Sequence, residues 1–360
     1  MDEDSWPAAL RWWLSVTNRG DGTSLIFRLF DLFTRSLLWW TGMHVRGWFP
    51  WWLHRNISDA ILAAQNARAG RSRGVTTRDF TCGDGVPCRD FEPSARSTNA
   101  VLVYMHGGGW CMGSEKGKFH QNAIFQLVRR LGCRAVSVGY RLAPEHPFPA
   151  AIHDVCSVIR ELGAGGDPII LAGDSAGGNL ALVAALGAKL TVPGDPLHVP
   201  MPAHLLLIYP GIFDNEIADG EADRMIYLMP RGSREFWRGS YLGDDPSSKL
   251  RDWRVAPLRA PSLEGLPPTT VITASLDYLY HSNLRLIDAL RAAGVAVDLV
   301  LEDKKTKWVF KHADRLQAGH VFLLAPDEMA RGTVKVKELA TGEQEEVALD
   351  GLAAWAAKRE

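Results

Sequence analysis

Between residues 76 and 301, short apolar runs alternate with segments of helical spacing, and that alternation restricts the fold more than any other property of the chain. The runs at 100–105, 135–140, 168–172, 204–209, 269–273 and 295–301 are candidate core strands, several of them almost wholly apolar. A strand that alternates polar and apolar residues can face water on one side, whereas a wholly apolar one has to be covered on both. Between the runs, 118–131, 150–162, 179–190 and 282–293 carry helical spacing, the last closed by Gly294 as a C-cap. Strand and helix in repeated succession predict an α/β fold with a mostly parallel central sheet flanked by helices. Residues 212–262, with Trp and Arg among many Asp, Gly and Pro, read as an excursion from that sheet.

The flanks differ in texture. Eight of the 13 tryptophans (Trp6, Trp12, Trp13, Trp39, Trp40, Trp48, Trp51 and Trp52) fall in the first 52 residues. Arg28, Asp31 and Arg35 interrupt the apolar stretch 25–40 at helical spacing, leaving a charged stripe on a helix too broken to span a bilayer. Residues 1–75 therefore predict a helical cap, with a substrate lid or peripheral membrane contact as the alternatives that so much tryptophan keeps open. At the other end, 21 of the 59 residues from 302 to 360 are charged, against 60 of the preceding 301, which sets a composition boundary near Leu301. The expected organisation is a cap over 1–75, an α/β core over 76–301 and an atypical, charged C-terminal α/β extension over 302–360.

Composition narrows the function classes. Lys+Arg 40 against Asp+Glu 41 leave a net charge of −1, so no whole-chain field draws the protein to nucleic acid or to an anionic membrane. The five cysteines (Cys82, Cys88, Cys111, Cys133 and Cys156) are scattered without a CxxC pair, and reduced thiols are expected rather than a disulfide framework or a zinc site. The acidic opening, Asp2-Glu3-Asp4, is unlike the basic start of a secretory leader, so the expected location is the cytoplasm.

Two motifs carry the chemistry. Residues 169–179 read Ile-Ile-Leu-Ala-Gly-Asp-Ser-Ala-Gly-Gly-Asn, an apolar strand, then Gly-x-Ser-x-Gly, then an Ala-rich helix. Glycines on both sides permit the strained turn that holds a serine hydroxyl out at the carboxyl edge of a sheet, which makes Ser175 the candidate nucleophile. The helix that follows aims its positive end at charge developing there. The second motif, residues 101–110, is Val-Leu-Val-Tyr-Met-His-Gly-Gly-Gly-Trp, again a strand running into glycines. Consecutive glycines let backbone N–H groups approach an acyl oxygen, so Gly108 and Gly109, with Ala176 after the serine, are the candidate oxyanion-hole donors, and Gly107 helps the turn. Together the motifs specify acyl transfer far more narrowly than either does alone.

HGGGW at 106–110, YRLAPEHPFPA at 140–150 and GDSAGGN at 173–179 resemble the hormone-sensitive lipase family of α/β-hydrolases, the bacterial family IV esterases, over about 75–301. The resemblance implies an α/β-hydrolase fold with an N-terminal helical cap. It implies a serine carboxylesterase that hydrolyses small-molecule esters of short to medium acyl length through an acyl-enzyme, with no metal or cofactor. It also implies Asp277, in Ala274-Ser275-Leu276-Asp277-Tyr278-Leu279, as the acid that orients a histidine. The chain departs from the family at His281 and Ser282, where an acidic pair is usual, and at the histidine itself. That histidine follows the last long strand, a register that falls here on Lys307. His312 and His320 are the two substitutes, of which only one can serve; His106 and His146 belong to the motif scaffolding. If 304–316 is a helix and 320–324 a parallel strand, the crossover starts His320 at the opposite edge of the sheet from Ser175, which favours His312. With neither in place, the same site becomes a hydrolase-fold small-molecule binding protein of impaired catalysis.

The tail carries a second resemblance. Lys311-His312-Ala313-Asp314-Arg315-Leu316 and residues 326–337, running to Thr341-Gly342-Glu343-Gln344, are similar to the end of the histidyl-tRNA synthetase anticodon-binding domain, over about 310–350. The resemblance implies the latter half of that domain, joined as a fusion, a chimeric gene or an assembly artefact. With no basic excess, no nucleic-acid partner is expected. The expected partner is a small-molecule ester, with peripheral membrane contact through the Trp-rich cap and a homodimer left open.

Overall fold

A computed structural model describes residues 74–213, 231–273, 277–300, 320–323 and 331–348, together with 351 and 355. Residues 1–73 of the proposed cap, Lys307 and His312 lie outside the described residues, and Val75, at the cap's expected end, already opens the first strand. The chain divides into two compact units, Met1–Val300 and Leu301–Glu360.

The first unit is built on an eight-stranded sheet ordered β1-β2-β4-β3-β5-β6-β7-β8. β1 (Val75–Cys82) and β2 (Val86–Pro93) form an antiparallel hairpin, and β2 also runs antiparallel to β4 (Arg134–Val138). From there β3 (Val101–Met105), β5 (Ile169–Asp174), β6 (His204–Ile208), β7 (Thr269–Ile272) and β8 (Val297–Val300) are parallel to their neighbours. The connecting helices are α1 (Lys118–Leu131), α2 (Ala150–Gly163) and α3 (Ala176–Leu190). The excursion after β6 contributes α4 (Arg231–Leu242) and α5 (Pro246–Lys249), and α6 (Tyr280–Ala292) joins β7 to β8. None of the described helices is long and apolar enough to cross a membrane.

The apolar strands are covered on both faces, as their composition demands. In β3, Val101, Val103 and Met105 join one hydrophobic cluster with Ile152 and Val155 of α2, Leu182 of α3 and Leu286 of α6. Leu102 and Tyr104 point the other way, into a second cluster with Ile124 and Val128 of α1. α1 ends at Gly132, whose φ of 60° lets its N–H close on the Val128 carbonyl, while Arg129 and Arg130 face the negative end of the helix. α3 is apolar around most of its surface and buried from Ala176 to Gly187, so truncating Leu180 or Leu186 to Ala would cost roughly 2–5 kcal/mol. All five cysteines are free and buried. Burial pushes the thiols of Cys88 and Cys156 up to about 12.

Two elements differ from the sequence expectation. α3 starts at Ala176 rather than 179, because the serine turn itself caps the helix. In the second unit, β9 (His320–Leu323), β10 (Thr333–Glu338) and β11 (Gln344–Ala348) form a three-stranded sheet ordered β11-β10-β9. Both pairings are antiparallel, with His320 opposite Glu338, which corrects the parallel strand expected at 320–324. β9 takes its partner from the later strand β10, in a sheet separate from the eight-stranded one, and not from the strands that precede it. The crossover argument that set His320 aside therefore lapses.

Candidate active site

β5 ends at Asp174 and α3 begins at Ala176, so Ser175 alone makes the turn. Its φ of 51° and ψ of −116° are ones that side-chain-bearing residues rarely adopt. The turn persists because its backbone is pinned on both sides. Ser175 N–H donates to the Ile208 carbonyl at 2.9 Å, and its own carbonyl accepts from Gly211 at 2.7 Å and Asn179 at 3.1 Å. Space requires the flanking glycines. A Cβ on Gly173 would collide with the Gly177 carbonyl, and one on Gly177 would collide with the Met105 carbonyl and lie 2.7 Å from that of His106. The first turn of α3 is thus packed onto the end of β3. Ser175 is half-buried while every other residue from 171 to 180 is buried.

The glycine loop leaves β3 at His106. Gly108 and Gly109 take φ of 124° and 60°, and Trp110 continues at 60°. The Gly108 carbonyl accepts from Cys111 at 3.1 Å and Met112 at 3.0 Å, which closes the loop on itself. Among the described residues, neither Gly108 nor Gly109 N–H donates to a backbone carbonyl, and Ala176 N–H lies in the first turn of α3, where no intrahelical acceptor exists. A Cβ placed on Gly211 would sit 3.4 Å from both the Ser175 carbonyl oxygen and the edge of the Trp110 indole, so loop and elbow share one place. That place is the carboxyl end of β3 and β5, from which the chain departs in opposite directions to β4 and β6.

Behind the loop lies a buried polar cluster. Asp174 accepts from the Tyr104 hydroxyl and Gly107 N–H, each at 2.9 Å, and faces His120 Nε2 at 3.4 Å. Burial raises its carboxyl, but His120 and Tyr104 outweigh that and hold it below its ordinary value. Burial, with the neighbouring His120, pushes the His106 imidazole down to about 4, so it is neutral at pH 7. Its Nδ1 donates to the Gly107 carbonyl at 2.8 Å, and the Tyr140 hydroxyl donates to its backbone oxygen at 2.7 Å.

The acid position is reached along the same edge. Ser175 N–H bonds Ile208 and Tyr209 N–H bonds Ile272, so the ends of β5, β6 and β7 stay in register. Strands about 4.8 Å apart put the end of β7 roughly 10 Å from that of β5. Asp277 lies just beyond β7, its carboxylate accepting from Leu279 N–H at 3.1 Å. Burial pushes this carboxyl above its ordinary value, only partly offset by the Leu279 and Tyr278 N–H groups. At the departure from the family pattern, Ser282 is buried and its hydroxyl donates to the Leu279 carbonyl at 2.8 Å, while His281 packs edge-on against Tyr280. The structure therefore brings Ser175, Gly108, Gly109 and Ala176 together and sets Asp277 two strands away. His312 and the side chain of His320 lie outside what is described, as do Ala274, Ser275 and Leu276. Among the described residues, no group of three or more His, Cys, Asp and Glu is arranged to hold a metal ion.

A family model described as the α/β-hydrolase fold matches residues 102–310. The chain belongs to this family. The hydrolase is 34% identical over 239 residues to the carboxylic ester hydrolase LipN of Mycobacterium tuberculosis, a match covering 59% of the chain and 58% of LipN. It is 35% identical over 229 residues to the carboxylesterase NlhH of the same organism, covering 59% of the chain and 68% of NlhH. A solved esterase of the bacterial hormone-sensitive lipase family superposes with a TM-score of 0.63 at 26% identity, covering 78% of the hydrolase and 88% of that chain. A second family model, an anticodon-binding domain, matches residues 271–359. It begins in β7, upstream of the position near 310 where the tail resemblance was expected to start, and shares 271–310 with the hydrolase match. Asp277 falls in that overlap.

Sequence reasoning missed the cluster behind the loop and the aromatic wall beside it. His120 reaches Asp174 only through the packing of α1, and no spacing rule links the two. Trp237 and Tyr241 come from α4: a Cβ on Gly109 would touch the Trp237 ring at 3.0 Å, and Tyr241 stacks on Trp110 at 4.4 Å. The Trp-bearing excursion of 212–262 was the available signal. Two further histidines bond away from the site, His204 to the Thr270 hydroxyl at 2.9 Å and His198 to the Thr191 carbonyl at 3.1 Å.

Proposed function

We propose that the hydrolase is a serine carboxylesterase that cleaves esters of short to medium acyl length through an acyl-enzyme. The observation that carries this reading is the adjacency of the Ser175 elbow and the glycine loop, two devices whose strained geometry acyl transfer needs together. Ser175 Oγ attacks the ester carbonyl carbon as an imidazole takes its proton. The oxygen that gains charge is held by the N–H groups of Gly108, Gly109 and Ala176. Collapse expels the alcohol, which receives that proton, and a water repeats the sequence to free the acid and regenerate the serine. Asp277 orients the imidazole, which comes from His312 or His320. Trp110, stacked with Tyr241 at 4.4 Å and with Phe213 at 5.0 Å, walls the elbow with aromatic rings and favours compact acyl groups. The names of the relatives, carboxylic ester hydrolase and carboxylesterase, support the reaction class.

Hydrolysis of p-nitrophenyl butyrate, lost in Ser175→Ala, tests the reading; equal turnover by both proteins ends it. Of His312→Ala and His320→Ala, one loses activity and the other keeps it. If both keep it, the tail supplies no base. The Lys307 that stands in the family's histidine register favours a second reading, a small-molecule binder of impaired catalysis, which predicts a ligand held tightly and never consumed.

A further inference from the structure

We propose that Asp174 is a positioning residue for the oxyanion hole: its buried carboxylate holds Gly107 N–H and so sets Gly108 and Gly109 relative to Ser175. The inference deepens the proposed esterase reading and rests on it. Asp174 immediately precedes Ser175, so whatever its side chain grips is tied to the elbow through one peptide unit. Its Oδ1 accepts from Gly107 N–H and Tyr104 Oη, both at 2.9 Å, and its Oδ2 faces His120 Nε2 at 3.4 Å. Those partners come from the glycine loop, from β3 and from α1. Asp174, Tyr104 and His120 are only 5%, 2% and 7% exposed. A buried carboxylate is costly unless its oxygens are satisfied, so donors from separate elements hold it in one arrangement. The approach is close enough that a Cβ on Gly107 would collide with the carboxylate.

The other groups that face the cluster do not compete for this role. His106 is neutral and spends Nδ1 on the Gly107 carbonyl, its ring lying 5.6 Å from that of His120 and stacked on Tyr140 at 4.3 Å. Gly107 is therefore gripped at both its N–H and its carbonyl. Farther along, the loop is held where the Trp110 carbonyl accepts from Ala143 at 2.9 Å. Gly108 and Gly109 lie between these anchors with no side chains of their own. Oxyanion donors act only within roughly 2.7–3.1 Å of where charge develops, so an unanchored loop weakens the transition state more than the bound ester.

The experiment compares the full chain with Asp174→Ala and Asp174→Asn, the latter keeping an oxygen that can accept from Gly107. For p-nitrophenyl butyrate, Asp174→Ala is expected to lower kcat roughly 10²- to 10³-fold, the magnitude of losing one oxyanion donor, with KM changed less than about threefold. Asp174→Asn should recover to within about tenfold of the parent. Residue-resolved amide hydrogen exchange on the unaltered protein gives a measure independent of turnover and of the variants' folding: Gly107 exchanges slowly, Gly108 and Gly109 fast. The proposal is overturned if Gly107 exchanges as fast as its two neighbours, if Asp174→Ala keeps parental kcat, or if its loss lies in KM. A parent that hydrolyses no ester yet protects Gly107 sinks the esterase reading and leaves the anchor standing.

Discussion

Two carboxylates stand at the same edge of the sheet, and the fold treats them in opposite ways. Asp174, at the end of β5, is buried, yet His120 and Tyr104 hold its carboxyl below the ordinary range. Asp277, beyond β7, is raised by burial that backbone N–H groups offset only in part. A facing cation or imidazolium lowers a carboxyl, and a low-dielectric surround without one raises it. The contrast separates the two halves of the site. The half built from the serine turn and the glycine loop is closed within residues 101–179, where Asp174 is held by donors from three elements. In the proposed mechanism the other half begins at Asp277 and takes its imidazole from a different stretch of chain.

Ser175→Ala breaks the first half most severely. Removing a triad nucleophile costs on the order of 10⁴- to 10⁶-fold in kcat, and p-nitrophenyl butyrate turnover should fall by that much with the fold unchanged. A drop of less than tenfold would mean that the gripped half is not where the chemistry happens.

Asp277→Asn probes the other half, with an expected loss of roughly 10⁴-fold in kcat, the size of effect seen when a triad acid becomes an amide. Its effect on stability should run the other way. A carboxyl raised in the folded state loses its proton first in the unfolded chain, so stability falls as pH rises from 3.8 through the raised value. The amide escapes that penalty, and the thermal midpoint of Asp277→Asn at pH 7 should exceed the parent's. Asp174→Asn should do the reverse. Its lowered carboxyl contributes stability that is present above 3.8 and lost as pH falls through the folded value, so the amide lowers the midpoint at pH 7. Midpoints that move in the same direction would erase the contrast between the two carboxylates.

How far the chain could be read without its structure follows the same division. Gly173 and Gly177 are legible because no Cβ fits at either place, and Gly108 and Gly109 because their φ values are positive. The wholly apolar runs of β3 and β5 announce burial on both faces. The β1–β2 hairpin is harder to see, because at the edge of the sheet Arg78 and Asp79 stay exposed and break any apolar run. His120 is illegible because tertiary packing alone brings it to Asp174. The direction of β9 is illegible because it is set by the strand it pairs with, β10 in a separate sheet, and not by its own residues. Asp277 was legible only through the family resemblance, since a carboxylate after a strand has no local signature.

The smallest effect tests whether the gripped half is sensitive to acid, as its neutral imidazole requires. His106 is fully buried, with His120, Asp174, the Tyr140 ring and the Gly107 carbonyl around it. Its imidazole is pushed from 6.5 down to about 4, so between those values the unfolded chain binds a proton that the folded chain refuses. Stability is full above 6.5 and declines as pH falls toward 4, by on the order of 3 kcal/mol once the window is crossed. Asp174 contributes its own loss only below 3.8, so the two windows are separable. Urea unfolding at pH 7 and pH 4.5 should show the decline in the parent and a shallower one in His106→Gln, which has no proton to take up. Equal slopes in the two proteins would mean that the imidazole is not the group through which acid loosens the glycine loop.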